Sequence, residues 1–411
     1  PHTAHDGNPY RMSVAVGARI DFSIDLNDVA QGDGYLFVRD GVGLAGRGVA
    51  LETTASTATK ALGTIEADAE AHPIAFGAIP FIGDSQARFV VPAITVEKTD
   101  SGAALVTSIA EDRTTALRQL RSTIEAMRGA VRPRSASASS YSVAPLVAVD
   151  TYLAAVATAR DAVRAGHLTK AVIARDIQIT SDSPIDIHAV LLRLKASFGS
   201  SYRYSFGTLI GASPELLIAV ANGTIRSHPL AGTTARTGDP TTDARLASEL
   251  LASTKNQIEH RVVVDTVHDA LLPFCSYLDW EAEPSVVAVA NVQHLGTRVE
   301  GRLNRETTAI ELALLLSPTP ALGGHPREAA LQLIAEHEGM NRGLYGGTIG
   351  WCDARGNGTF AVTIRCAEFD ETRTRARLFA GGGIVADSEP LSELAETQAK
   401  FQAMLSAIIR P

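Results

Sequence analysis

The stretch from Ala380 to Lys400, AGGGIVADSEPLSELAETQAK, sets three glycines just ahead of a helix with a carboxylate-rich start. At about 100° per residue, Glu393, Glu396 and Lys400 share one helical face, and Leu394, Phe401, Leu405 and Ile408 share another. The apolar stripe suits a core and the charged face suits a cavity. Two acids one turn apart are oxygen donors for a divalent cation, and glycines let backbone N–H groups approach an anion. The plainer reading is capping. Acids in a first turn answer the helix dipole, Asp387 or Ser388 can cap, and Pro390 suits a first turn. A tight strand-to-helix turn would use the glycines equally well.

Other side chains carry the same ambiguity. Glu259 shares a helical face with Val263, Thr266 and Ala270, where a carboxylate needs a partner or a metal. Arg261 or His260 could supply an ordinary salt bridge. In VTIRCAEF, strand alternation puts Arg365 with Thr363 and Ala367, opposite Val362, Ile364 and Cys366. Such an arginine is either half-exposed or, if its face looks into a cavity, a bidentate clamp for a carboxylate. Lys170 opens a strand, where a solvated position is the default. Glu215 heads the run LLIAV. It either marks an exposed strand end or, if buried, holds its proton to neutral pH and can donate it. His294, in NVQHLGT, reads as a core or boundary histidine.

The elements that must position these groups follow from the hydrophobic periodicity. Helices are expected over 112–127, 149–166 and 187–198, with one long helix over 242–272. KAVIARDIQIT reads as a strand, YRYSFGTLIG and PELLIAVANGTI as paired strands with an Asn222-Gly223 turn, and GTFAVTIRCAEF with TRARLFAGGGIV as a hairpin. Many strands without regular βαβ alternation indicate an α+β protein with large antiparallel sheets. VRPRSASASSY, 131–141, has the composition of a flexible connection. It divides an N-terminal part, 12–130, from the region 149–411, with 131–148 as the connecting loop. Residues 1–11 lack periodicity and read as a disordered terminus or a remnant ahead of Met12.

With 411 residues, 45% of them hydrophobic, the chain can bury a large core. The net charge of −8, without basic runs, argues against a nucleic acid or an anionic membrane as partner. An anionic substrate would need local cations or a metal to draw it in. Cys275, Cys352 and Cys366 form no CxxC pair and read as reduced thiols. No apolar run approaches a membrane span of about 18–20 residues, and no secretory pattern opens the chain. The expected location is the cytoplasm.

Taken together, the segments LTKAVIARD, GASPELLI, HPLAGTTARTG, ASTKNQIEHRVVVD, VQHLGTRVEG, SPTPALGGHP, RGLYGGTIGWCD, VTIRCAEF and the glycine-to-helix tail resemble, in order, the chorismate-utilising enzymes. The resemblance runs from about Val149 to the C-terminus. It implies one compact fold with two large antiparallel sheets in the middle, helices outside, and the N-terminal part contributing to the same fold. It implies a Mg²⁺ site with Glu259 and Glu396 as ligands and Glu393 close by or acting through water. It also implies that Gly232, Thr233, Tyr345, Arg365, Gly381, Gly383 and Lys400 hold the carboxylates of chorismate, with His294 on the substrate side.

The resemblance further separates the reactions. Ala231 stands where the aminodeoxychorismate-forming members carry a nucleophilic lysine, and Lys170 matches the lysine of the members that use water rather than ammonia. No glutamine amidotransferase partner is then expected, and the chain is expected to be a monomer. The implied activity is isochorismate synthesis, an isomerase reaction with Lys170 as base and Glu215 as acid. The alternatives are salicylate synthesis, in which pyruvate elimination follows, and a non-catalytic binding protein on the same fold. SPTPALGGHP resembles the isochorismate-forming members, although Ser317 stands where many of them have histidine. Asn256 replaces an acid common in relatives.

Overall fold

The computed structural model describes residues 13–83, 86–129 and 140–409. The expected N-terminal remnant and most of the Ser/Ala-rich connection lie outside the described residues. Among the described residues, three sheets contain the strands. The largest has thirteen strands. It runs from Tyr141–Pro145 at one edge through Lys170–Ser181, Arg375–Ile384, Cys366–Phe369, Leu209–Ser213 and Tyr202–Phe206 into strands of the N-terminal part, beginning with Tyr35–Arg39. The second has nine strands and likewise mixes the two parts: Gly358–Val362 pairs with Thr348–Asp353, which pairs with Ile74–Ile79. A three-stranded sheet holds Leu230–Ala235, Val292–Gly296 and Ser285–Ala288. Among the described residues, pairing is antiparallel except between Val14–Ile20 and Glu66–Ala67. The fold is α+β.

The core has two layers. One apolar cluster joins side chains from both large sheets, such as Phe37 and Tyr204 with Ile218 and Phe360, so the sheets pack face to face. The other lies between the thirteen-stranded sheet and helices that include Ile187–Ser197 and Pro390–Ile409. It contains Ile177, Ile210 and Leu378 from the sheet with Leu191, Phe401 and Ile408 from the helices.

Several elements form where the sequence places them, for visible local reasons. Asn222 and Gly223 both have positive φ, 51° and 79°, which a two-residue hairpin turn requires. Asp186 caps the helix Ile187–Ser197 by accepting from Ala189 N–H. Three expectations need correction. The single long helix over 242–272 is two helices, Pro240–Ala252 and Thr254–Leu271, because Ser253 leaves helical geometry (ψ 109°) and caps the second by accepting from Asn256 N–H. Tyr141–Pro145, read as loop, is an edge strand paired with Ile177–Ser181. The run VTIRCAEF is not one strand. Gly358–Val362 ends in the nine-stranded sheet and Cys366–Phe369 begins in the thirteen-stranded one.

Candidate active site

Chain crossings between sheets place the polar groups. From Leu209–Ser213 in the largest sheet, the chain passes through Pro214 and Glu215 into Leu216–Ala221 of the second. From Gly358–Val362 in the second it passes through Thr363, Ile364 and Arg365 into the first. Thr224–His228 leads into Leu230–Ala235 of the small sheet, where Gly232 sits at a register shift with φ 74°. Residues at such crossings leave the strict in–out alternation of a strand, and Glu215 and Arg365 are both buried in one cavity. Arg365 takes a left-handed φ of 49°, at a cost of about 1–3 kcal/mol for a residue with a side chain. The in-strand position expected for it is therefore wrong, and the strain sits where its guanidinium lines the cavity.

Lys170, Glu215, Gly232, Thr233, Glu259, His294, Tyr345, Arg365, Gly381, Gly383, Glu396 and Lys400 all line this cavity. Glu393 lies just behind the lining. Its Oε1 accepts from Ser388 Oγ at 2.8 Å and lies 3.7 Å from Lys255 Nζ. Lys170 is not solvated but 1% exposed, and its Nζ lies 2.9 Å from Glu259 Oε1. The partner of Glu259 is thus neither Arg261, which binds Asp265, nor His260, which pairs with Thr297. Lys400 Nζ donates to Gly381 O at 2.7 Å and contacts Glu396 Oε1 at 2.6 Å.

The three glycines form neither a turn nor a loop. They lie inside strand Arg375–Ile384 and pair with Val172, Ile173 and Ala174. Close approach explains them. A methyl group on Gly383 would fall 2.4 Å from Glu259 Oε1 and 2.6 Å from Lys170 Cε; one on Gly382 would fall 2.7 Å from Glu393 Oε2 and 3.9 Å from Glu396 Oε1. Three carboxylates from two helices thus converge on a bare strip of backbone. An all-oxygen donor set of this kind suits a hard divalent cation. As the side chains stand, each is engaged by lysine or hydroxyl, and among the described residues no three acids, histidines or cysteines are in coordinating geometry.

Protonation is differentiated across the cavity. Burial pushes the Glu215 carboxyl up to about 8, against the weaker downward pull of the Leu230 N–H and of Lys170 and Arg365. The acid is therefore protonated at neutral pH. Glu393 is also raised, by burial and then by the charge of Glu396. Burial, the largest single influence, raises Glu396 too, but Lys400, Lys255 and Arg365 together pull it down, and the net shift is downward. Burial, then the charges of Arg365 and Lys400, hold His294 well below the usual imidazole value. Its contacts assign the tautomer: Nδ1–H donates to Gly232 O at 3.2 Å, and Nε2 accepts from Arg365 Nη2 at 3.2 Å. Among the described residues the buried Arg365 Nε has no partner, which leaves a donor for an anionic ligand.

Sequence reasoning missed the apolar part of the lining, which includes Val172, Pro214, Leu230, Leu322 and Ile364. Nothing in an apolar run marks which residues will floor a site. It also missed Lys255, although its place one turn before Glu259 on the same helix was visible. Asn256 packs beneath Gly232, and its amide donates to Ser253 Oγ at 2.9 Å, so it serves the helix start rather than the carboxylates.

Residues 51–409 match the family described as chorismate binding enzyme. The chain belongs to the chorismate-binding enzyme family. Among curated relatives, a putative isochorismate synthase MenF from Mycobacterium tuberculosis is 46% identical over 271 residues, 62% of this chain and 73% of that protein. The isochorismate synthase DhbC of Bacillus subtilis is 35% identical over 372 residues, 87% of this chain and 86% of that protein. The crystal structure of a putative 2,3-dihydroxybenzoate-specific isochorismate synthase, DhbC from Bacillus anthracis, superposes with a TM-score of 0.77 at 31% identity, covering 93% of this chain and 98% of that one. The cavity is lined by strands of the thirteen-stranded and three-stranded sheets, by the crossings into and out of the nine-stranded sheet, and by both helices that carry the acids. Among the described residues no helix is long and apolar enough to cross a membrane.

Proposed function

We propose that the protein is an isochorismate synthase, converting chorismate to isochorismate by adding water at ring carbon C2 with loss of the C4 hydroxyl. The observation that carries this reading is the pairing of a buried lysine with a buried, protonated glutamic acid in one cavity. Adding water at one carbon and expelling hydroxide from another needs a base at the first and an acid at the second. Lys170 takes a proton from the attacking water. The ring double bonds shift, and Glu215 gives its proton to the departing C4 oxygen, which leaves as water. One water enters and one leaves, so substrate and product are isomers.

The other side chains bind and orient. Arg365 holds a carboxylate of the substrate with its unpaired Nε–H, while the neutral His294 keeps the guanidinium plane fixed through Nε2. Gly232, Thr233, Tyr345, Gly381, Gly383 and Lys400 complete the carboxylate cradle. Mg²⁺, held by Glu259 and Glu396 with Glu393 close by, would neutralise a substrate carboxylate and hold it still. Lys400 and Lys255 supply local positive charge within a protein of net charge −8. The protein acts alone, as a cytoplasmic monomer on a small molecule, with no glutamine amidotransferase partner.

The test mixes protein, chorismate and Mg²⁺ and follows isochorismate and pyruvate together. Isochorismate without pyruvate is the expected result. Stoichiometric pyruvate with salicylate would overturn the assignment, and no turnover would favour a binding protein. Lys170→Ala should abolish water addition while the fold persists.

A further inference from the structure

Strand Lys170–Ser181 carries the proposed base at its first residue, and the edge of this strand that faces away from Arg375–Ile384 is assembled from separate pieces. At its start, Gly324 and His325 pair with Ala171 and Lys170, and Val172 N–H donates to Gly323 O at 2.9 Å. At its end, Tyr141–Pro145 pairs with Ile177–Ser181. Between these two segments, among the described residues, no strand runs alongside. Two side chains take the place of the missing backbone. Val172 O accepts from Arg342 Nη2 at 2.8 Å, and Ala174 N–H donates to Glu338 Oε2 at 2.8 Å.

Glu338 and Arg342 are themselves a bidentate pair, with Nε to Oε1 at 2.7 Å and Nη2 to Oε2 at 2.5 Å, and both are buried. The remaining nitrogen, Nη1, donates to Leu322 O at 2.7 Å. The guanidinium stands 4.2 Å over the Phe81 ring and 5.8 Å from the centroid of Tyr345. One arginine therefore fixes the strand that begins at Lys170, the loop that brings Leu322 to the cavity, and the Tyr345 ring. Val172, Leu322 and Tyr345 all line that cavity.

A buried ion pair is a poor way to gain stability, since both charges must be desolvated. It is a good way to satisfy a strand edge at fixed geometry, because an apolar pair would orphan Val172 O and Ala174 N–H. We propose that Glu338 and Arg342 are the positioning pair of this active site. They set where Lys170 stands relative to Glu215 and the Leu322 wall, and they do not touch the substrate. The proposal rests on the reading of Lys170 as base.

The experiment compares Arg342→Lys and Glu338→Asp in the full chain, with Lys170→Ala beside them. Lysine keeps the charge but cannot reach Val172 O and Leu322 O from one planar fork. For Arg342→Lys, kcat should fall roughly a hundredfold, the scale of an ångström-sized misplacement. Its KM for chorismate should stay within about threefold of wild type, since neither residue of the pair touches the substrate. Glu338→Asp, shorter by one methylene, should give an intermediate kcat. In both variants the amides of the 170–176 segment should lose hydrogen-exchange protection while the rest of the sheet keeps it. Lower thermal stability with unchanged kcat would make the pair merely structural and overturn the proposal. So would a raised KM at unchanged kcat, which would place the pair in substrate binding. If Lys170→Ala is inactive and both pair variants are fully active, the positioning role alone falls. If Lys170→Ala turns over normally, the base assignment falls and the proposal falls with it.

Discussion

Glu215 and Glu396 line the same cavity, yet their surroundings drive them to opposite protonation states. Glu215 lies on the crossing between the two large sheets. It is 3% exposed and, among the described residues, has one weak backbone donor, Leu230 N–H at 3.4 Å, and no cation in contact. Burial dominates and the carboxyl keeps its proton. Glu396 lies on a helix, keeps 33% of its side-chain surface accessible, and meets Lys400 one turn further on at 2.6 Å. There the neighbouring charge wins and the carboxylate is ionised. Two glutamates thus become an acid on one wall and an anion on the other. The residue type does not decide the role; for these two it is the balance between burial and the charges of neighbouring cations.

The sharpest way to break this contrast is Glu215→Gln. If the proton on Glu215 drives departure of the hydroxyl, kcat should fall by about 10²–10⁴ while chorismate still binds. Activity within a few-fold of wild type would remove Glu215 from the chemistry. Wild-type kcat should also decline as pH rises through about 8, because Glu215 then loses the proton it must donate. The sign for stability is the same. The folded acid holds its proton between its unfolded value of 4.5 and about 8, so its contribution to stability decreases with rising pH across that window. A flat profile from pH 7 to 9, in activity and in thermal midpoint, would contradict the assignment.

On the other wall the test is Gly382→Ala. The added methyl would press on Glu393 Oε2. The Mg²⁺ concentration needed for half-maximal activity should rise roughly 10–100-fold, the scale seen when support around a metal ligand is disturbed. The pH dependence attributed to Glu215 should not move. An unchanged Mg²⁺ requirement would mean that the acids at the glycine strip hold no metal.

The smallest effect is expected far from both walls. His72 is held between Glu97, at 2.7 Å, and Asp353, at 3.6 Å, tying the largest sheet to the nine-stranded one. Asp353 and then Glu97 raise its value to about 9. This imidazolium contributes stability fully below about 6.5 and loses it as pH rises through about 9. His72→Gln should lower stability at pH 7 by about 1.5–3 kcal/mol, the range for hydrogen bonds to charged groups. Thermal midpoints should show the loss, and kcat should not change.

Much of the architecture is local and was legible. The strand at Lys170, the Asn222-Gly223 hairpin and the helix Ile187–Ser197 follow from alternation, turn chemistry and capping within a few residues. The pairing of Glu259 with Lys170 was not legible, because it joins residues 89 positions apart and alternative partners stood next to Glu259 in the sequence. Arg365 was misplaced for a related reason. Its neighbours alternate like a strand, but Val362 and Cys366 belong to different sheets, and only the crossing between them turns the arginine inward. The glycine run was seen as unusual, but its cause, side chains arriving from two distant helices, cannot be read from the run itself.

By itself the sequence determined which residue types were available, the α+β class, and the ordered motifs that mark the family, because these depend on short-range periodicity and on residue identity. Only the tertiary structure decided which glutamate is protonated and which is ionised, that three glycines stay in a strand to admit carboxylates, and that a buried arginine and glutamate complete the edge of the strand bearing Lys170. The reason is physical. Burial, desolvation and contact with a distant charge are properties of the packed chain, and none of them exists until the sheets have met.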